Sequence, residues 1–456
     1  MPEPLRLAGQ RVLVVGLARS GVAAARVAVA RGARVTVTDR RVATELAPSI
    51  AELGDSVEFA LGGHDPADFA RADLIVASPG VPLSLPEIRA AQRQGVPVLA
   101  EVELAARLLE PVPLVGITGT NGKSTTTALV GALLGRDRRV FTGGNLGTPL
   151  CELVLSGQEV DAVVLELSSF QLEGIDRLRP TVAVLLNVTP DHLDRYRDVD
   201  EYALAKGRIF MNQQGGDFAV ANGRDPRTVA LAGASRGELL SFGFGEPAPR
   251  SARARDGGEI YLTTGHGAPE RYRVASRALR GRHNVENAMA ALLCARLLGL
   301  PGAQAQAGLG EFPGLPHRLE LVRERAGVEW INDSKATNVD STQVALAAFP
   351  RDRPQVILIL GGRGKRAPYA PLRPLLDGRV KALLTLGEDA PAIEGELGDA
   401  VPTERTGTLA AAVERAAALA AWGDVVLLSP ACASYDQFRS YEHRGDTFRR
   451  LVHELP

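Results

Sequence analysis

Short runs of β-branched and aliphatic residues recur along the chain, each followed by a longer Ala- and Leu-rich stretch. This alternation predicts repeated strand–helix units and parallel sheets. Strands are expected at Arg11–Val15, Arg34–Thr38 and Leu74–Ala77, then at Leu114–Thr118, Ala162–Leu167 and Val182–Asn187. A last group is expected at Glu329–Asn332, Gln355–Leu360, Ala382–Leu386 and Asp424–Leu428. The segment Glu110-Pro-Val-Pro113 reads as a stiff linker after the first group, and the Gly- and Pro-rich stretch from Pro301 to Pro316 separates the second from the third. The expected class is therefore α/β in three domains, 1–110, 111–310 and 311–456. Ser251–Gly258 is expected as a surface turn or hairpin of the middle domain.

Composition narrows the function more than the fold. A chain of 456 residues exceeds a single core, in line with the three blocks. The net charge of −1 argues against general affinity for nucleic acid or an anionic membrane, so an anionic substrate needs local basic groups. Cys151, Cys294 and Cys432 are far apart and give neither a disulfide framework nor a zinc spacing, which fits a reducing compartment. No apolar run approaches the ~20 residues of a membrane span and no basic leader precedes the first strand, so a cytoplasmic protein without a membrane partner is expected.

The chemistry concentrates where strands end. Gly116-Ile-Thr-Gly-Thr-Asn-Gly-Lys-Ser124, followed by Thr125, joins an apolar strand to a helix, the context of a phosphate-binding loop. Glycines let backbone N–H groups wrap phosphates, Lys123 suits the β/γ oxygens and Ser124 suits Mg²⁺, although Ile117 stands at the usual first glycine. The middle domain is thus expected to be of the P-loop ATPase type with a mostly parallel sheet. Glu166 ends the strand beginning at Ala162 and supplies a carboxylate at the edge where ligands bind, though a Glu there is commonly just solvated. His192 follows Asn187-Val-Thr-Pro-Asp191 and reads equally as a structural or a functional side chain. Lys206 lies on a helix and by itself reads as a solvated surface charge.

In the first domain Gly16-Leu-Ala-Arg-Ser-Gly21 follows a strand and Asp39 ends the next, a Rossmann-like fingerprint broken by Ala18. NAD binding is the minor reading. Lys365 in Gly361-Gly-Arg-Gly-Lys365 lacks a following Ser or Thr, so a second phosphate loop is not expected and a surface Lys is the plain reading. Cys432 reads as structural.

The loop Thr118–Ser124, the segment Glu166-Leu-Ser-Ser-Phe-Gln171 and Asn187-Val-Thr-Pro-Asp-His192 together resemble the Mur ligases; folylpolyglutamate synthases share the loop but lack a Rossmann-like domain in front of it. Further segments are similar to the branch of the family that adds D-glutamate: Ser78-Pro-Gly80, Gly144–Gly147, Gly314–Glu320, Trp330–Asn338 and Leu428–Phe438. The resemblance covers essentially the whole chain and implies Rossmann-like first and last domains around the P-loop domain. It implies a monomeric ligase of peptidoglycan precursor synthesis acting on UDP-N-acetylmuramoyl-L-alanine and D-glutamate, with ATP and two Mg²⁺ ions.

By the same resemblance, Lys123, Glu166, His192 and Lys206 are the catalytic residues. One ion sits on Ser124 and Glu166 and the other on His192 and a carbamylated Lys206. Gly119, Thr120, Asn121, Gly122, Lys123, Ser124 and Thr125 bind ATP with Asn287, Arg318, Asp333 and Lys335. Asn287 alone would read as ordinary polarity near a helix start. Arg19, Ser20, Asp39, Gly80 and Asn145 bind the UDP substrate. Thr337, Lys365, Ser434, Tyr435 and Tyr441 line the D-glutamate site, with Tyr441 standing where the family usually has Phe.

Overall fold

A computed structural model describes residues 5–456 apart from 146, 193–194, 256–257, 266 and 366. The chain divides into two compact units: unit 1 is Met1–Val274 with Glu286–Leu309, and unit 2 is Ala275–Val285 with Gly310–Pro456.

Among the described residues, unit 1 holds two sheets. The first consists of β1 (Arg11–Val15), β2 (Arg34–Asp39), β3 (Glu58–Leu61), β4 (Leu74–Ala77) and β5 (Val98–Ala100), all parallel, in the order β3-β2-β1-β4-β5. The order reverses at β1, and the ends of β1, β2 and β4 open together beside that switch point, where open α/β sheets bind ligands. Val12 to Val15 are buried because both faces of a parallel sheet are covered by helices.

The second sheet comprises β6 (Leu114–Thr118), β7 (Val140–Gly144), β8 (Ala162–Glu166), β9 (Val182–Leu185), β10 (Phe218–Asn222), β11 (Glu238–Phe244), β12 (Ser251–Ala254), β13 (Glu259–Thr263) and β14 (Glu270–Arg273). They run in the order β14-β13-β12-β11-β10-β9-β6-β8-β7, antiparallel only from β12 to β14. The segment from Ser251 is thus half of a hairpin, one of the two expected alternatives. Ser251, Ala252 and Ala254 are buried, because small side chains let this strand pack inside the sheet layer. Asp256 and Gly257, part of that expected turn, lie outside the described residues.

Unit 2 has one sheet of β15 (Glu320–Arg325), β16 (Val328–Asn332), β17 (Val356–Gly361), β18 (Val380–Leu386), β19 (Thr403–Gly407) and β20 (Val425–Leu428). The order is β15-β16-β20-β17-β18-β19, parallel except for the edge hairpin β15–β16. Within the Pro301–Pro316 stretch, Gly302–Glu311 forms a helix. Its alanines favour a helix, and Pro301 is tolerated just ahead of the first turn. No helix among the described residues is long and apolar enough to cross a membrane.

Candidate active site

β6 lies between β8 and β9 in the sheet, with Ile117 level with Glu166 and Thr118 level with Leu185. Three segments far apart in sequence therefore leave the sheet side by side: the phosphate loop, the Glu166 turn and the stretch leading to His192. Each turn has a local cause. After β8 the Ser168 hydroxyl accepts from the Gln171 amide at 3.2 Å while Gln171 Oε1 accepts from the Ser168 amide at 3.0 Å, a reciprocal cap that starts a helix. At the loop, Gly122 adopts φ +85° directly before the helix Lys123–Leu134. A Cβ there would stand 2.4 Å from Asn287 Oδ1, so both backbone conformation and the neighbouring side chain require glycine.

Two lysine amines meet on this loop. Lys123 Nζ donates to the carbonyls of Gly119 and Thr120, both at 2.9 Å. Lys206 Nζ donates to the same Gly119 carbonyl at 2.8 Å and stands 4.4 Å from the Tyr202 ring centroid. Lys206 is only 1% exposed, which corrects its reading as a surface charge. The helix Val199–Gly207 buries Tyr202 and Lys206, four residues apart on one face, and leaves Leu204 in solvent. Burial first, and then the charge of Lys123, push the Lys206 amine down to about 6, against the pull of Asp191 and Glu166.

Glu166 is buried as well. Its Oε1 accepts from Asn145 Nδ2 at 2.7 Å, whereas Oε2 has no hydrogen-bond partner. A buried carboxylate oxygen without a donor fits a cation or a ligand proton. Gly144 lets the chain pass beside it, since a Cβ would meet the Glu166 carbonyl oxygen at 2.4 Å. His192 has φ +54°, is half-exposed, and packs its ring 4.9 Å from that of Phe170. Among the described residues no three His, Cys, Asp or Glu side chains converge. A metal here would need Ser124, an altered Lys206, phosphate oxygens or water alongside Glu166 and His192, the oxygen-rich set that suits Mg²⁺. Leu193 and Asp194, next along the chain, lie outside the described residues.

A cavity of about 500 Å³ opens at the switch point of the first sheet, and Arg19, Ser20, Asp39, Gly80 and Asn145 all line it. Leu146, within the quoted Gly144–Gly147 segment, lies outside the described residues. Asp39 accepts from the Leu17 amide at 2.8 Å and from Arg41 Nη2 at 2.7 Å and Nε at 3.0 Å. Burial opposes its charge, but Arg41 and these amides outweigh it and hold the carboxyl at about 2. With its oxygens so engaged, Asp39 lines the cavity as an already paired carboxylate.

In unit 2, Asp333 follows β16 and is buried. It accepts from Ser429 Oγ at 2.8 Å and the Leu319 amide at 3.2 Å, and burial pushes it up to about 7 against those bonds. Lys335 Nζ stands 5.3 Å from the Tyr441 ring centroid. The Thr337 amide donates to the Lys335 carbonyl at 2.8 Å; Ser434 is buried, while Lys365 and Tyr435 are exposed. Arg318 precedes β15. Cys432 Sγ is 3.0 Å from Tyr369 Oη, and burial lifts its thiol to about 11, consistent with a structural role.

Residues 10–100 match the N-terminal domain of MurD-like Mur ligases, residues 117–295 the Mur ligase middle domain and residues 317–432 the Mur ligase glutamate ligase domain. Over 455 residues, 98% of each chain, the sequence is 69% identical to a UDP-N-acetylmuramoylalanine--D-glutamate ligase of Anaeromyxobacter dehalogenans. The chain belongs to the Mur ligase family. A ligase of the same description from Myxococcus xanthus is 52% identical, covering 99% of this chain and 100% of that one. Among solved structures, the MurF ligase of Thermotoga maritima in complex with ADP aligns with a TM-score of 0.63 at 19% identity, over 98% of this chain and 96% of that one. The UDP-N-acetylmuramate-alanine ligase MurC of Thermotoga maritima gives 0.59 at 20% identity, over 97% and 99%. Both share the three-domain Mur ligase fold.

Two side chains of this Mur ligase escaped the sequence reading. Gln171 is 1% exposed, lines the 500 Å³ cavity, and has no partner for its Nε2 donor. Its signal was present in the Ser168-to-Gln171 capping spacing, which hid a second use of the amide. Arg444, 1% exposed, donates to the carbonyls of Ser334 and Cys432 and to Ser334 Oγ at 2.9–3.1 Å, tying the turn after β16 to the one after β20. Nothing in its sequence neighbourhood, Glu442-His-Arg-Gly445, separates it from surface arginines.

Proposed function

We propose that this Mur ligase joins D-glutamate to UDP-N-acetylmuramoyl-L-alanine. The L-alanine carboxylate takes the γ-phosphoryl group of ATP, the D-glutamate amine displaces phosphate from the acyl phosphate, and ADP and phosphate leave. The observation that carries this reading is the full-length 69% identity to a relative of that description. The site chemistry agrees with it.

Lys123, released from the carbonyls of its own loop, would neutralise β- and γ-phosphate oxygens alongside the N–H groups of Gly119 to Thr125. Ser124 with Glu166, and His192 with Lys206, would hold two Mg²⁺ ions, which when bound offset the charge on the transferring group. Lys206 suits carbamylation because only a neutral amine attacks CO₂: an N–C bond forms as one C=O π pair moves onto oxygen, the nitrogen loses a proton to solvent, and the amine becomes an anionic oxygen ligand. With its amine held near 6, the free form prevails at neutral pH. The switch-point cavity would take the UDP-sugar on Arg19, Ser20, Asp39, Gly80 and Asn145, with Gln171 as an added donor. Asn287, Arg318, Asp333 and Lys335 are assigned to adenosine, and Thr337, Lys365, Ser434, Tyr435 and Tyr441 to D-glutamate. Domain boundaries near 110 and 310, a monomeric state and a cytoplasmic location complete the proposal.

Phosphate release measured with the purified chain is expected only when ATP, Mg²⁺, UDP-N-acetylmuramoyl-L-alanine and D-glutamate are all present. Turnover with L-glutamate, or with a folate acceptor, would overturn the assignment.

A further inference from the structure

Asn187 belongs to none of the ligand sets above, yet its side chain makes three hydrogen bonds to the phosphate loop. It stands two residues past β9, the strand beside β6. Its Oδ1 accepts from the amides of Thr120 at 3.1 Å and Asn121 at 2.9 Å, and its Nδ2 donates to the Asn121 carbonyl at 3.1 Å. The Asn187 backbone carbonyl accepts from the Thr120 amide as well, at 3.0 Å. A second clamp lies two residues on: Thr120 Oγ1 donates to the Thr189 carbonyl at 3.2 Å and accepts from the Thr189 amide at 3.0 Å. On the far side the Val188 amide donates to Asp225 Oδ2 at 3.0 Å, anchoring the segment to the start of the helix Pro226–Gly233.

We propose that Asn187 is a positioning residue that locks the phosphate loop to the segment bearing His192, so that the nucleotide phosphates and the second metal position are set in register by one amide. The inference rests on the ATP and Mg²⁺ reading of this site. The chemistry calls for an amide, because only Asn offers an acceptor for two N–H groups and a donor for the Asn121 carbonyl on so short a stem. Aspartate loses the donor and turns a charged oxygen toward that carbonyl. Alanine strips the Asn121 amide and carbonyl of these partners and leaves the Thr120 amide with the Asn187 backbone carbonyl alone. The UDP-sugar cavity is not lined by Asn187, so its substrate should be indifferent to the change.

The test is calorimetric titration with ATP and Mg²⁺ beside steady-state kinetics of Asn187→Asp and Asn187→Ala, with Asn187→Ser as a milder variant that keeps a short hydroxyl at the same position. The expected result is that KM for ATP and the Mg²⁺ concentration at half-maximal rate both rise about tenfold or more, while KM for the UDP-sugar stays within about twofold. Asn187→Ser should shift the same two constants and the calorimetric Kd for ATP by a smaller factor, and it decides the matter if the other two variants do not fold. Unchanged constants overturn the inference, and so does a rise in KM for ATP alone, because the two loops would then not be coupled. An equal rise for all substrates would mean general loosening and overturns it too. If the parent protein itself needs neither ATP nor Mg²⁺, the functional reading fails first.

Discussion

Replacing Lys206 with methionine removes a buried amine while keeping most of the side-chain volume. A lysine whose folded value lies near 6 and whose ordinary value is 10.5 destabilises the fold wherever the unfolded chain binds the proton and the folded one does not. That penalty is absent above about pH 10.5, grows by about 1.4 kcal/mol per unit as pH falls, and levels off below about 6. At pH 7.5 it is on the order of 4 kcal/mol, and the lost bond to the Gly119 carbonyl returns about 1 kcal/mol of it. Lys206→Met should therefore be inactive yet more stable than the parent at pH 7.5. Its advantage should shrink by about 2.7 kcal/mol at pH 9.5, roughly 5 °C in melting temperature for a unit of this size. Thermal scans of both proteins at the two pH values, in CO₂-free buffer so that no carbamate alters the reference, measure the gap directly. A gap that is the same at both pH values would refute the argument, since it would mean that Lys206 stays protonated in the folded protein. Adding bicarbonate should raise the melting temperature of the parent and leave the variant unmoved.

Gly122→Ala places a Cβ against Asn287 at a backbone angle that L-residues rarely adopt, and should destabilise unit 1 by about 1–3 kcal/mol and weaken ATP binding. Calorimetric titration with ATP and a melting curve check both, and undiminished affinity would remove Gly122 from the phosphate cradle. Lys365→Met, at an exposed position, should leave the melting temperature unchanged but raise KM for D-glutamate about tenfold or more; an unchanged KM would return Lys365 to the status of a surface charge.

The strands that carry the site were legible in the chain, because a strand buried on both faces must be a short apolar run. The phosphate loop was legible for a related reason: its glycines, Lys123 and Ser124 are contiguous, so the chemistry and the backbone shape that serves it occupy one local segment. What the sequence could not settle was which polar residues lose their water. Lys206 and Leu204 sit two positions apart on one helix, and hydropathy would bury the leucine. The tertiary packing buries the lysine instead, against a carbonyl 87 positions earlier in the chain. Glu166 is a similar case, an ordinary strand-end carboxylate until Asn145 takes one of its oxygens and leaves the other without a partner. Asn187 and Arg444 owe their importance to bonds with distant backbone, and Gln171 to a cavity that distant segments line, and a one-dimensional pattern records neither. The sequence by itself determined where the expected strands and the phosphate loop fall along the chain, since those depend on local apolar runs and local turns. The tertiary structure decided which amine is neutral, which carboxylate oxygen is unpartnered and which amide joins two loops, because desolvation and hydrogen bonding are set by neighbours that only folding brings together.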